Sequence, residues 1–156
     1  MPNFFLVLVF LFNFLLTNLY AQNTCEGQEL EALAEQAVRK VPADFIFSRC
    51  FPAVFGDKLH FNPEKGVVEY AMIMSEKYQY CFAVSSNQGH CEGITIYLHD
   101  KNENVVATNY EIKEGKEHNR ELLIFKVPHG GVYHLRFNVK NKKICGNIAK
   151  AFKEIR

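Results

Sequence analysis

From Tyr133 to Lys140 apolar and polar residues alternate without interruption. Tyr133, Leu135, Phe137 and Val139 are apolar, and His134, Arg136, Asn138 and Lys140 are polar. A period of two belongs to a β-strand with one face buried and the other wet. Seven other short runs are rich in β-branched and aromatic residues: 44–50, 66–74, 78–84, 94–98, 104–108, 122–127 and 145–152. Turn residues separate them, among them Asp100-Lys101-Asn102-Glu103, Pro128 and Gly130-Gly131. No βαβ alternation, internal repeat or low-complexity tract is present. The pattern predicts a mainly β fold, an antiparallel β-sandwich or jelly roll of about eight strands.

One segment departs from this pattern. Leu30, Leu33, Ala34, Ala37, Val38 and Val41 recur at three- and four-residue intervals, the spacing of one apolar helical stripe. The expected helix covers about residues 25–41. Thr24 is the expected N-cap, Glu26 and Glu29 suit the first turn, and Arg39 and Lys40 suit the last. Pro42 ends it. Such a helix lies across a sheet or closes one end of a sandwich.

The first 21 residues are of another kind. Residues 4–16 are apolar apart from Asn13, and Thr17-Asn18-Leu19-Tyr20-Ala21 follows. This is the layout of a signal peptide with cleavage after Ala21, although no Lys or Arg precedes the apolar run. The run is shorter than the ~20 residues a helix needs to cross a bilayer. The expectation is therefore a secreted or periplasmic protein with one domain over residues 22–156. The 18 Lys and Arg nearly balance the 17 Asp and Glu, which argues against a nucleic-acid partner. Cys25, Cys50, Cys81, Cys91 and Cys145 are all disulfide candidates in an oxidising compartment. Their odd number leaves a thiol over. Cys81 and Cys91 flank an expected strand connection and are the first candidates for a pair.

Between Tyr78 and Phe152 the chain runs through a strand, Ile94-Thr95-Ile96-Tyr97-Leu98, an Asp100 turn and a variable loop. Leu123-Ile124-Phe125, Val127-Pro128 and Gly131-Val132-Tyr133-His134-Leu135 follow. This order resembles the bacterial pre-peptidase C-terminal domains, small jelly-roll sandwiches appended to secreted enzymes. The likeness covers about half of the expected mature chain. The cysteines and the helix depart from it. It implies a sandwich with a non-catalytic accessory or binding role, and it carries over no catalytic residue.

The residues capable of chemistry do not form a known motif. His60, His90, His99, His118, His129 and His134 include no His-Glu-x-x-His spacing. His90-Cys91-Glu92 is the densest group of metal-ligand types, and it would need more ligands from the fold, such as His99 or His129. A Cys–His nucleophile needs a free thiolate, a base and an oxyanion hole. Asp100 to Asn104 alternates oxygen side chains as calcium loops do, but has the composition of a hairpin turn. Arg136, Lys140, Lys142, Lys143, Lys150, Lys153 and Arg156 make the C-terminal part basic, either as an anion-binding patch or as solvated strand faces. The absence of Trp weakens a sugar-binding reading, for which Tyr97 and Tyr110 are the available platforms.

Together these features lead to an exported, non-catalytic binding or accessory module with no cofactor. Its partner is an extracellular or envelope ligand, protein or glycan. The expected ligand face is His134, Arg136 and Lys140 on one side of a strand, with Tyr97 and His99 added if their strand is a neighbour. Two alternatives stand beside it: a metal-binding or Cys/His-dependent enzyme, and a structural or assembly subunit.

Overall fold

The computed structural model describes residues 25, 27–65 and 67–155. The expected signal peptide, the Thr24 cap and Arg156 lie outside these residues. Helix α1 (Gln28–Lys40) is followed by β1 (Ile46–Val54), β2 (Phe61–Asn62), β3 (Val67–Met74), β4 (Tyr78–Ser86) and β5 (Ile94–His99). Then come β6 (Val105–Thr108), β7 (Tyr110–Lys113), β8 (Lys116–Asn119), β9 (Leu122–Lys126), β10 (Gly131–Val139) and β11 (Cys145–Glu154). Among the described residues, no helix is long and apolar enough to cross a membrane.

The strands form a β-sandwich. One sheet has the order β1-β11-β4-β9 and the other β2-β3-β10-β5-β6, with every pair antiparallel. Without the two-residue β2, each sheet has four strands. Successive strands change sheets at every connection except β5 to β6, which gives the nested order of a jelly roll. The eight strands of this frame are the eight runs expected from the sequence. β7 and β8 form a separate polar hairpin, inserted between β6 and β9.

The core lies between the sheets. Phe51, Phe82, Val84, Leu123 and Ile148 from the first sheet meet Met72, Ile94, Ile96, Leu98, Leu135 and Phe137 from the second. The first sheet is covered on its other side as well, because α1 lies across it. That face carries small side chains: Ala83 and Ala149 pack on Ala37 of the helix. The Ser85 hydroxyl donates to the Leu33 carbonyl, and the Asn147 amide donates to the Leu30 carbonyl at 3.3 Å. With both faces covered, burial is nearly continuous along β4 and most of β11, whereas along β5 and β10 it alternates. Close approach matters most at Gly146, where a Cβ would collide with the Ser85 carbonyl and the Ile94 side chain.

Two local expectations are corrected. The helix begins at Gln28, not near Cys25, and its N-cap is Gly27 at φ 57°, with no capping side chain. Cys25 is held elsewhere, in a disulfide with Cys145 at the start of β11, with Cα atoms 5.8 Å apart. The pairing of Cys81 with Cys91 does not occur; both are buried free thiols. Cys81 alternates with the core residues Tyr80 and Phe82 and so points toward the helix, while Cys91 belongs to the core. Cys50 is also free, and β11 stands between its strand and β4. Two strand spacings put Cys50 and Cys81 about 10 Å apart, beyond disulfide reach.

The Cys25–Cys145 bond closes a sequence separation of 120 residues. Removing it in a Cys25→Ser, Cys145→Ser double variant is expected to cost about 2–5 kcal/mol, since the unfolded chain gains loop entropy. Urea unfolding of both forms, with and without reductant, measures this. An unchanged midpoint for the double variant would show that the bond adds no stability.

Candidate functional site

The outward side of the β3-β10-β5 sheet carries two clusters of polar groups. The first holds four of the five residues expected to bind a ligand. Register pairs Arg136 with Tyr97 and Glu69, and His134 with His99 and Ala71, so all of these share one face. Arg136, only 12% exposed, donates from Nε to Glu69 at 3.0 Å and from a terminal nitrogen to Glu103. Lys65 bonds Glu103 at 2.6 Å and lies 3.6 Å from Glu69. His134 Nδ1 is buried 3.7 Å from Glu69, and it has no hydrogen-bond partner. His99 Nδ1 lies 3.1 Å from the Glu103 carbonyl.

These charges are already neutralised by one another. Partial burial raises the Glu69 carboxyl, but the Asn62 amide and the Arg136 guanidinium outweigh it and hold the group below the usual carboxylate range. Hydrogen bonds from Lys65 and Arg136 hold Glu103 at about 2. An incoming anion would have to displace both carboxylates from Arg136.

Lys140 stands apart from that cluster. It follows β10, where its N–H donates to the Gly93 carbonyl at 2.9 Å. There it lines an open groove of 640 Å³ at the other end of the same face. The groove floor is Thr95 of β5 with Asn138 and Lys140. One wall is the β7–β8 hairpin, through Tyr110, Glu117, His118 and Asn119. The other is the His90, Glu92 and Gly93 loop.

Both walls are held by hydrogen bonds, buried at the hairpin and part-buried or exposed at the His90 loop. Asn109, fully buried between β6 and β7, accepts the Ile96 N–H at 2.8 Å through its side-chain oxygen. Its amide donates to the Arg120 carbonyl at 3.1 Å and to the Ile94 carbonyl at 3.4 Å. The Arg120 N–H returns to the Asn109 carbonyl at 2.8 Å. Asn109 thus ties both ends of the hairpin to β5. On the opposite wall, Lys40 at the end of α1 donates to the Val84 carbonyl at 2.9 Å and to the His90 carbonyl at 3.1 Å. It also pairs with Glu121, which meets His90 Nδ1 at 2.9 Å.

The groove differs from the first cluster in what its side chains are doing. Among the described residues, Asn138, Lys140, His118 and Glu92 make no side-chain hydrogen bond or ion pair within the protein. Tyr110 donates to Glu117 at 3.2 Å, which holds its ring, and Thr95 donates to Asn119 at 3.3 Å. Sequence reasoning missed the hairpin because its strands are only four residues long and the second, Lys116-Glu117-His118-Asn119, has no apolar residue. The available signal was Glu114-Gly115, whose positive φ angles of 53° and 73° make the tight turn.

The other sequence candidates are also placed. The Cys91 thiol donates to the Asn119 carbonyl at 2.9 Å, and no histidine ring nitrogen bonds a cysteine sulfur among the described residues. Burial, with help from Glu121, pushes Cys91 up to about 11, and burial with Asp44 pushes Cys81 to about 11, so both are protonated at neutral pH. Among the described residues, one His/Cys/Asp/Glu trio brings its ligand atoms within 4.8 Å: Cys25, Glu29 and Cys145. Its two sulfurs are bonded to each other and are not thiolate ligands. Asp100 accepts the N–H groups of Asn102 and Asn104 at 2.8 and 2.9 Å, which is a turn cap. The basic C-terminal residues do not share a face. Lys150 is buried with its nitrogen 5.2 Å from the Tyr80 ring centre, and Lys153 pairs with Asp44 at 2.7 Å.

Asn109→Ala is expected to lose about 2–3 kcal/mol, because it strands an Ile96 N–H and two carbonyls. Hydrogen exchange should then rise across residues 110–119 ahead of the rest of the chain. Protection unchanged there would show that the hairpin stands without Asn109.

A second prediction concerns acid. Glu69 and Glu103 have folded pKa values below their unfolded ones, so their contribution is complete above about pH 4.5. It is lost as pH falls from there toward about 2, where Glu103 gains its proton. Arg136→Met should flatten this part of the stability profile, measured by urea unfolding between pH 7 and 2.5. An equal slope in both proteins would place the acid sensitivity elsewhere.

No protein-family model, curated protein or solved structure matches this chain.

Proposed function

We propose that this protein is an exported, non-catalytic binding module whose ligand site is the groove between the β7–β8 hairpin and the His90 loop. One observation carries the reading: among the described residues, Glu92, His118, Asn138 and Lys140 line the groove without a side-chain partner, in a concavity whose hairpin wall is tied down by the buried Asn109. Its volume lies within the ~300–1,000 Å³ range of small-ligand sites. The neighbouring Arg136 cluster has the opposite character, since its charges are mutually bound. The ligand face expected from sequence therefore moves toward Lys140, and Tyr97, His99, His134 and Arg136 become its rigid margin.

Export is supported by the signal-like residues 1–21 and by the Cys25–Cys145 bond, which suits an oxidising compartment. The likeness to pre-peptidase C-terminal domains points toward the same accessory role. The metal and Cys/His enzyme readings lack support, because the buried thiols of Cys81 and Cys91 are protonated and the Cys91 thiol is bound to the Asn119 carbonyl.

An isotope-labelled sample of the mature chain, titrated with a mixed panel of sugars, amino acids, nucleotides and short peptides, tests the site. At least one compound should shift the amides of Thr95, Asn119 and Asn138, and Asn138→Trp, which fills the groove, should remove that response. Compounds that shift only residues outside the groove, or none at all, would reject it.

A further inference from the structure

The geometry points to a neutral saccharide as the groove's ligand, stacked on Tyr110 and hydrogen-bonded by Asn138, Lys140 and the two carboxylates Glu92 and Glu117. This inference rests on the groove being the binding site.

Three features of the lining select the ligand class. The first is charge. The lining carries two carboxylates, Glu92 and Glu117, and one ammonium, Lys140. A phosphate, a sulfated chain or an acidic sugar would meet two carboxylates for each cation, and like charges at close range oppose binding. Of the described basic C-terminal residues, Lys140 reaches the groove.

The second is polarity. The floor and both walls present amides, a hydroxyl, carboxylates and an ammonium. An apolar ligand would strip water from these groups and give no hydrogen bond in return. A sugar hydroxyl both donates and accepts, so it can meet a carboxylate on one side and an ammonium or amide on the other. Asn138 and Lys140 are free to donate, and Glu92 is free to accept.

The third is Tyr110. Its hydroxyl bond to Glu117 at 3.2 Å fixes the ring at the groove wall, and Asn109 fixes the backbone beside it. A half-exposed aromatic ring, held in place before binding, offers a flat face to the C–H side of a pyranose at small entropic cost. The ring also explains how a chain without Trp can present a stacking surface.

The test uses the intact mature chain with neutral oligosaccharides of glucose, mannose, galactose and N-acetylglucosamine. A sulfated oligosaccharide and inorganic phosphate serve as charged comparisons. Saturation-transfer NMR and calorimetry are the readouts. A neutral sugar should bind, and its ring protons should receive magnetisation from Tyr110. Tyr110→Ala and Asn138→Ala should each weaken it by about tenfold or more, the loss of one ordinary contact. Tyr110→Phe keeps the stacking face but loses the Glu117 bond that holds it, so it should weaken binding less than Tyr110→Ala does. Binding of the sulfated chain or of phosphate in preference to every neutral sugar would overturn the inference. So would a neutral sugar indifferent to Tyr110→Ala, or no sugar binding at millimolar concentration. Shifts of the groove amides by a peptide or nucleotide, with no response to any sugar, would overturn the saccharide alone and leave the groove as the site. An absence of any shift there would remove both.

Discussion

The arrangement of this molecule depends on one sheet being buried on both sides. The β1-β11-β4-β9 sheet turns large side chains toward the second sheet and small ones toward α1. Alanine against alanine lets the helix backbone come close enough for Ser85 and Asn147 to reach its carbonyls. A larger residue at Ala83 or Ala149 would lift the helix and leave those polar groups without partners in a dry layer, where a lost bond is costly. From that layer the helix end reaches the groove: Lys40 closes α1, braces the His90 loop and binds Glu121. Helix seating and groove shape are thus mechanically linked.

Much of the frame was legible in the sequence. The eight principal strands were found from alternation, as in β10 and β4, and from short apolar runs bounded by turn residues, as in β9. What could not be read belongs to residues whose partners lie far along the chain. Nothing near Cys25 indicates Cys145, whereas Cys81 and Cys91 look like a pair only while their strand faces are unknown. The start of α1 was misplaced because the disulfide draws Cys25 away from the helical path. Asn109 looks like an ordinary turn residue, yet it is fully buried with both ends of its amide in use.

The site was partly legible for a similar reason. Alternation along β10 and β5 placed Tyr97, His99, His134 and Arg136 on one face, as found. It could not reveal that Glu69 of β3 and Glu103 of the β5–β6 turn reach Arg136. A polar face looks the same in sequence whether its groups bind one another or await a ligand. The hairpin that walls the groove was invisible because its strands are short and the second carries no apolar residue.

The Cys25–Cys145 bond has a consequence for load. Tension entering at residue 25 crosses directly to Cys145, so β1 to β10, together with the helix, form a closed ring beside the force path. Peeling β11 from 145 to 155 can release only about 35 Å of chain, where an open chain over the described residues would release about 450 Å. Load entering at residue 25 and leaving at residue 155 would thus fall on β11, an inner strand held by β1 on one side and β4 on the other, while the chain inside the ring could not be drawn out.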